Sequence, residues 1–134
     1  MKAGKNKLLI DLEGESLIYW TLKSVFSASS TNWVGIIGQP KDKNLLLNSA
    51  KDFAHKVHWI NGGDTRQKSV FNGLNALPND AEKVLIHDGA RSLIKPELIR
   101  HLAPSCIKTF SASFGSAFKP LKTDFCLVSP PLIQ

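Results

Sequence analysis

The 134-residue chain predicts an α/β fold, a doubly wound sheet in one domain, and three observations carry that expectation. Stretches of helical period alternate with short apolar runs, in the order helix, strand, helix, strand, helix, strand, helix. The run Val84-Leu85-Ile86-His87-Asp88 is nearly continuous in its apolarity, the pattern of a strand covered on both faces. It closes on a carboxylate followed by Gly89, Ala90 and Arg91, and ligands of parallel α/β sheets sit beyond the carboxyl ends of the strands. Asp88 also suits a plain turn cap with Arg91 in solvent, and on these residues alone the two readings weigh about evenly.

Taken in order, residues 1–7 are basic and aperiodic, as a solvated terminus is, and Leu8 to Leu12 form a short extended piece. Glu13-Gly14-Glu15 is a turn, and Ile18, Leu22, Val25 and Phe26 then mark one face of a helix starting at Ser16. Ser27 to Asn32 is a loop by composition, and Trp33 to Ile37 is the first full strand, closed by Gly38 and Pro40. Lys43 to Phe53 carries Leu46, Ala50 and Phe53 at helical spacing, and His55 to Ile60 leads into a short strand. His55 and His58 straddle that change of structure with no third ligand in view, so a metal pair there is disfavoured. Asn61 to Val70 is a glycine turn running into a helix with Asp64 or Thr65 as N-cap and Val70, Leu74 and Leu77 as its buried stripe. Such a turn offers unpaired N–H groups and a positive dipole end to an anion, although many α/β proteins use paired glycines for geometry alone. After the Val84 strand, Pro96 opens a helix with Leu98, Ile99 and Leu102 inward, closed by Pro104. From Cys106 the rhythm breaks, and only Phe125 to Val128 has strand character.

Composition narrows the partners. An excess of 17 basic over 11 acidic residues, net +6, suits an anionic ligand. The lysines are scattered with no aromatic-interleaved basic stripe, which ranks nucleic acid low. No apolar run is long enough to span a bilayer and no signal peptide opens the chain. Cys106 and Cys126 have neither metal nor redox spacing, and the expected compartment is a reducing cytoplasm, or a plastid stroma if a transit peptide has been lost.

Three segments together resemble one family, the 2-C-methyl-D-erythritol 4-phosphate cytidylyltransferases of non-mevalonate isoprenoid synthesis. They are Asn6-Lys7-Leu8-Leu9 with Leu12 and Gly14, then Gly62-Gly63-Asp64-Thr65-Arg66-Gln67 with Ser69-Val70 and Gly73-Leu74, and His87-Asp88-Gly89-Ala90-Arg91. Their order and spacing cover about Met1 to Leu102. The resemblance implies a Rossmann-like nucleotidyltransferase sheet and transfer of CMP from CTP to a polyol phosphate, with release of pyrophosphate and with Mg²⁺. By the same resemblance Lys7 neutralises the CTP phosphates, and Asp88 lies near the metal and the acceptor. Gly63, Asp64 and Ser69 hold the cytosine, Gly89 lies against the ribose, and Arg91 meets the acceptor. Arg66 fits the motif better as a structural residue than as a ligand.

The departures also set expectations. The family's first strand, its glycine-rich phosphate loop and its catalytic arginine have no counterpart here, and Met1 to Gly4 looks like the end of that loop. Residues 106–134 lack the family's C-terminal half and dimerisation arm and read like a shifted frame or a replaced tail, so residues 1–105 make a partial nucleotidyltransferase domain. The family is a homodimer, but the arm that pairs its subunits is absent from this sequence. Without the first strand, the strands at Trp33 and Val84 are expected to face each other across a gap, with marginal stability and impaired catalysis. Other readings are a cytidylyltransferase acting on ribitol 5-phosphate, a non-catalytic nucleotide-binding remnant, and an unrelated doubly wound domain.

Overall fold

The computed structural model describes residues 6–28, 33–79, 81, 83–102 and 124–129. Expectations that fall on Lys2, Lys5, the loop at 29–32, Pro104 and Cys106 lie outside them.

The described chain opens with a 3₁₀ turn, Lys7–Leu9, whose Leu8 is fully buried. A two-residue hairpin follows, β1 (Asp11–Leu12) against β2 (Glu15–Ser16). Its turn residues Glu13 and Gly14 both have positive φ, 53° and 87°, the geometry that matches the twist of paired strands and that glycine adopts without strain. Asp11 Oδ1 accepts the Gly14 N–H at 3.1 Å and braces the turn. Helix α1 (Leu17–Ser27) starts where Ser16 Oγ accepts the Tyr19 N–H, and it buries Ile18, Thr21, Leu22 and Val25.

Among the described residues the main sheet is four-stranded and wholly parallel, in the order β4 (His58–Asn61), β3 (Trp33–Gly38), β6 (Asp124–Ser129), β5 (Lys83–Asp88). The helices divide between its faces. Helices α1, α2 (Lys43–Ser49) and α4 (Pro96–Leu102) close one core of Ile18, Leu22, Val25, Leu46 and Ile99 against Val34 and Ile36. Helix α3 (Arg66–Asn75) closes the other, packing Val70 and Leu74 against Ile37, Ile60 and Val84. The period of two along β3 sends Val34 and Ile36 to one side and Ile37 to the other, so both faces of the sheet are dry.

Several expectations are corrected. The gap between the Trp33 and Val84 strands does not exist, because β6 pairs with β3 from Trp33↔Phe125 to Ile36↔Val128 and with β5 from Lys83↔Asp124 to Asp88↔Ser129. An extended backbone between two open edges satisfies both ladders of donors and acceptors, whatever its position in the chain. The helix expected over 43–53 ends at Ser49, and Lys51–Lys56 continues as a 3₁₀ helix. Lys51, at the junction, sits at φ 49°, outside the α-helical region. The strand expected from His55 begins at His58, whose ring stacks on Trp33 at 4.9 Å between centroids. Leu98 is half exposed while its neighbour Ile99 is buried, since adjacent helical residues lie about 100° apart and only one can face the sheet.

Candidate functional site

The glycine turn and the Asp88 loop both leave the sheet at its carboxyl rim. In a parallel sheet all strands present their carboxyl ends together, and Asn61 of β4, Gly38 of β3, Ser129 of β6 and Asp88 of β5 define that edge. The glycine turn leaves β4 at Gly62, whose N–H donates to Gly38 O at 2.8 Å. The Asp88 loop leaves β5 at the same level. Three strand spacings separate the two, about 14 Å in all. The Lys7 turn is tied to this rim as well, because Asn6 Nδ2 donates to Asp42 Oδ2 at 3.1 Å just beyond the end of β3. Asn6 Oδ1 also accepts the Leu8 N–H, shaping the turn that presents Lys7 to solvent.

The glycine turn is built around one hydroxyl. Ser69, on the first turn of α3 and nearly buried, accepts the Gly63 N–H at 3.0 Å and donates to Thr65 O at 3.0 Å. Gln39 Nε2 reaches across from the end of β3 to Gly63 O at 3.1 Å. A Cβ on Gly63 would collide with Lys68 Cβ, so the turn can lie this close to α3 only with glycine there. The N-cap is Thr65, whose Oγ1 accepts the Lys68 N–H, while Asp64 stands in solvent and pairs with Lys68 Nζ at 2.8 Å. Arg66 is the exposed first residue of α3.

The second loop is fixed from below and from within. Asp88 Oδ1 accepts the Ala90 N–H at 3.0 Å, and the Arg91 N–H donates to Asp88 O at 3.0 Å. Asp88 Oδ2 has a looser contact, 3.9 Å from Arg91 Nε, and Arg91 is largely in solvent. Thr21, fully buried on α1, donates its hydroxyl to Gly89 O at 2.7 Å. His87, nearly buried, donates from Nε2 to Arg91 O at 2.9 Å, which defines its neutral tautomer. Burial pushes its pKa below the usual 6.5, against the pull of that hydrogen bond and of Asp88.

Arg91 and His87 line a cleft of about 580 Å³ with Ser92, Leu93, Ile94 and Leu98. Of the expected site residues Arg91 alone lines it; Lys7, Gly63, Asp64, Ser69, Asp88 and Gly89 do not, so they share a rim rather than a single enclosed cavity. Among the described residues no three His, Cys, Asp or Glu side chains cluster as a metal site, and His58 is engaged with Trp33 instead. Magnesium commonly takes one or two protein carboxylates and completes its shell with substrate phosphates and water. Asp88, with one oxygen held only loosely, fits that kind of site and not a preformed cage. The residues that sequence reasoning missed are Thr21, Gln39 and His87 as braces of the two loops. Thr21 lies 68 positions from Gly89, and no local pattern marks such a contact.

Known proteins resemble this chain in sequence and in fold. The profile of the 2-C-methyl-D-erythritol 4-phosphate cytidylyltransferase family matches residues 1–113. A protein of that name from Prochlorococcus marinus strain MIT 9215 is 95% identical over 99 residues, which are 74% of this chain and 44% of that protein. Its counterpart from strain MIT 9312 is 90% identical over 103 residues, 77% of this chain and 46% of that protein. The crystal structure of 4-diphosphocytidyl-2C-methyl-D-erythritol synthase from Anaerococcus prevotii superposes with a TM-score of 0.69 at 25% identity, over 79% of this chain and 48% of that one. The chain thus spans less than half the length of the relatives it matches.

Proposed function

We propose that this chain, which belongs to the 2-C-methyl-D-erythritol 4-phosphate cytidylyltransferase family, carries the CTP-binding rim of a cytidylyltransferase that makes a cytidine diphosphate of that polyol phosphate. A phosphate oxygen of the acceptor attacks the α-phosphorus of CTP, the bond to the bridging oxygen breaks, and pyrophosphate leaves. No side-chain nucleophile takes part, so catalysis is positioning and charge stabilisation. The observation that supports the reading is that the Gly63 and Asp88 loops leave one carboxyl rim of a parallel sheet, with the Lys7 turn held by Asn6 to Asp42 just past the end of β3.

In this reading the Gly63, Asp64 and Ser69 turn receives the cytosine edge, and Gly89 leaves room for the ribose. Lys7 supplies a compact cation to the triphosphate. Asp88 is the carboxylate for Mg²⁺, which when bound would neutralise phosphate charge, and Arg91 on the cleft meets the acceptor phosphate. In the same reading residues 1–105 are the partial nucleotidyltransferase domain, and β6 (Asp124–Ser129), from the segment beyond it, completes its sheet. The cytoplasm is the expected compartment, in keeping with relatives from a bacterium. CTP and the polyol phosphate are the expected partners.

Pyrophosphate release with CTP and Mg²⁺ tests the activity, with 2-C-methyl-D-erythritol 4-phosphate and ribitol 5-phosphate assayed side by side. Turnover with the first and not the second is expected, at a rate orders of magnitude below that of the longer relatives. Calorimetry with CTP separates the alternatives: binding without turnover leaves a nucleotide-binding remnant, and absence of binding removes the proposal.

A further inference from the structure

Gln39 is a polar side chain at the carboxyl rim that the proposed reaction leaves without a role. It follows β3 directly, where the Gly62 N–H on Gly38 O, at 2.8 Å, fastens the glycine turn to the strand end. Its carboxamide lies over that turn, with Nε2 3.1 Å from Gly63 O and 3.4 Å from where a side chain on Gly62 would begin. The Gly63 carbonyl can only accept, so it fixes which end of the carboxamide is which. Turning the amide over would set Oε1 against Gly63 O, oxygen to oxygen. The nitrogen end is therefore engaged by the turn, and Oε1 has no hydrogen-bond partner among the described residues. What results is an acceptor of fixed polarity beside Gly63.

We propose that Gln39 is a specificity-determining residue, whose Oε1 accepts the exocyclic amine of cytosine and rejects uracil. This rests on the glycine turn receiving the base, as in the reading above. The two bases differ at C4, where cytosine carries an amine and uracil a carbonyl. The amine meets Oε1 as donor to acceptor, and the carbonyl meets it as acceptor to acceptor. A glutamine free to rotate would flip its amide to suit either base. Gln39 cannot do so without breaking its bond to Gly63 and opposing two oxygens. Asp64 also accepts only, but its carboxylate stands in solvent and is engaged by Lys68, so water competes for it and it discriminates weakly.

The test is calorimetry on the intact chain with Mg²⁺, titrating CTP and UTP separately into the wild type and into Gln39→Met. Methionine keeps the length of the side chain and removes its acceptor. The wild type is expected to bind CTP about tenfold or more tightly than UTP, and the variant to bring the two within about threefold. Gln39 is exposed, so the urea midpoint of the variant should match that of the wild type. A second readout needs no variant: the side-chain amide resonances of Gln39 should shift on titration with CTP and stay still with UTP at the same concentration. Equal affinity of the wild type for both nucleotides, a ratio unchanged in Gln39→Met, or resonances that move alike with both would each overturn the proposal while leaving the cytidylyltransferase reading intact. Absence of CTP binding by the wild type would remove that reading, and the role of Gln39 with it.

Discussion

At the scale of single residues, the account depends on a few polar groups that brace backbone rather than face solvent. Thr21 is the clearest, because its hydroxyl is the recorded partner of the Gly89 carbonyl at the base of the Asp88 loop. Thr21→Val keeps the shape and removes the donor, and should cost about 1–3 kcal/mol in urea unfolding, with Thr21→Ser retaining most of it. His87 adds a pH dependence. Its folded pKa is lowered by burial, so at pH values between that value and 6.5 the unfolded chain binds a proton that the folded chain refuses. Its contribution to stability is therefore complete above pH 6.5 and is lost as pH falls through the folded pKa. The urea midpoint should be lower at pH 5.5 than at 7.5, and His87→Gln should make that difference smaller.

At the scale of elements, the glycine turn and α3 act as one unit. Ser69→Ala removes the acceptor of the Gly63 N–H and the donor to Thr65 O together, while Thr65→Ala removes only the N-cap. The Thr65 change should cost about 1 kcal/mol of stability, with nucleotide affinity little altered. Gly63→Ala is different in kind, since its methyl group has no room against Lys68 and the turn must move away from α3. Loss of CTP binding by calorimetry, with unfolding shifted by no more than about 1–3 kcal/mol, is the expected result. Elements of this size were legible in the sequence where an apolar period ran unbroken, as in β3, β5 and α3. They were misjudged where two structures abut, as at Ser49 and His58, because side-chain period does not mark a change from α to 3₁₀ geometry.

At the scale of the whole molecule, sequence period gives strands but not their order. Phe125 to Val128 was recognisable as extended, and nothing local reveals that it lies between β3 and β5. The doubly wound arrangement was legible because alternation of elements dictates it, and the shared rim follows from parallel strands alone. Contacts across long separations, such as Thr21 with Gly89 and Asn6 with Asp42, were not, since hydroxyl and amide side chains carry no directional signal in a sequence. The cleft beside Arg91, with Leu93 and Leu98 exposed at it, depends likewise on where α4 docks.

The most direct measurement is chemical-shift mapping of backbone amides during titration with CTP and Mg²⁺. The account predicts that Lys7, Gly63, Ser69, Gly89 and Ala90 move together with one dissociation constant, while the opposite rim at Trp33, His58 and Lys83 stays still. Shifts confined to one of the three segments, or centred on the amino ends of the strands, would contradict it.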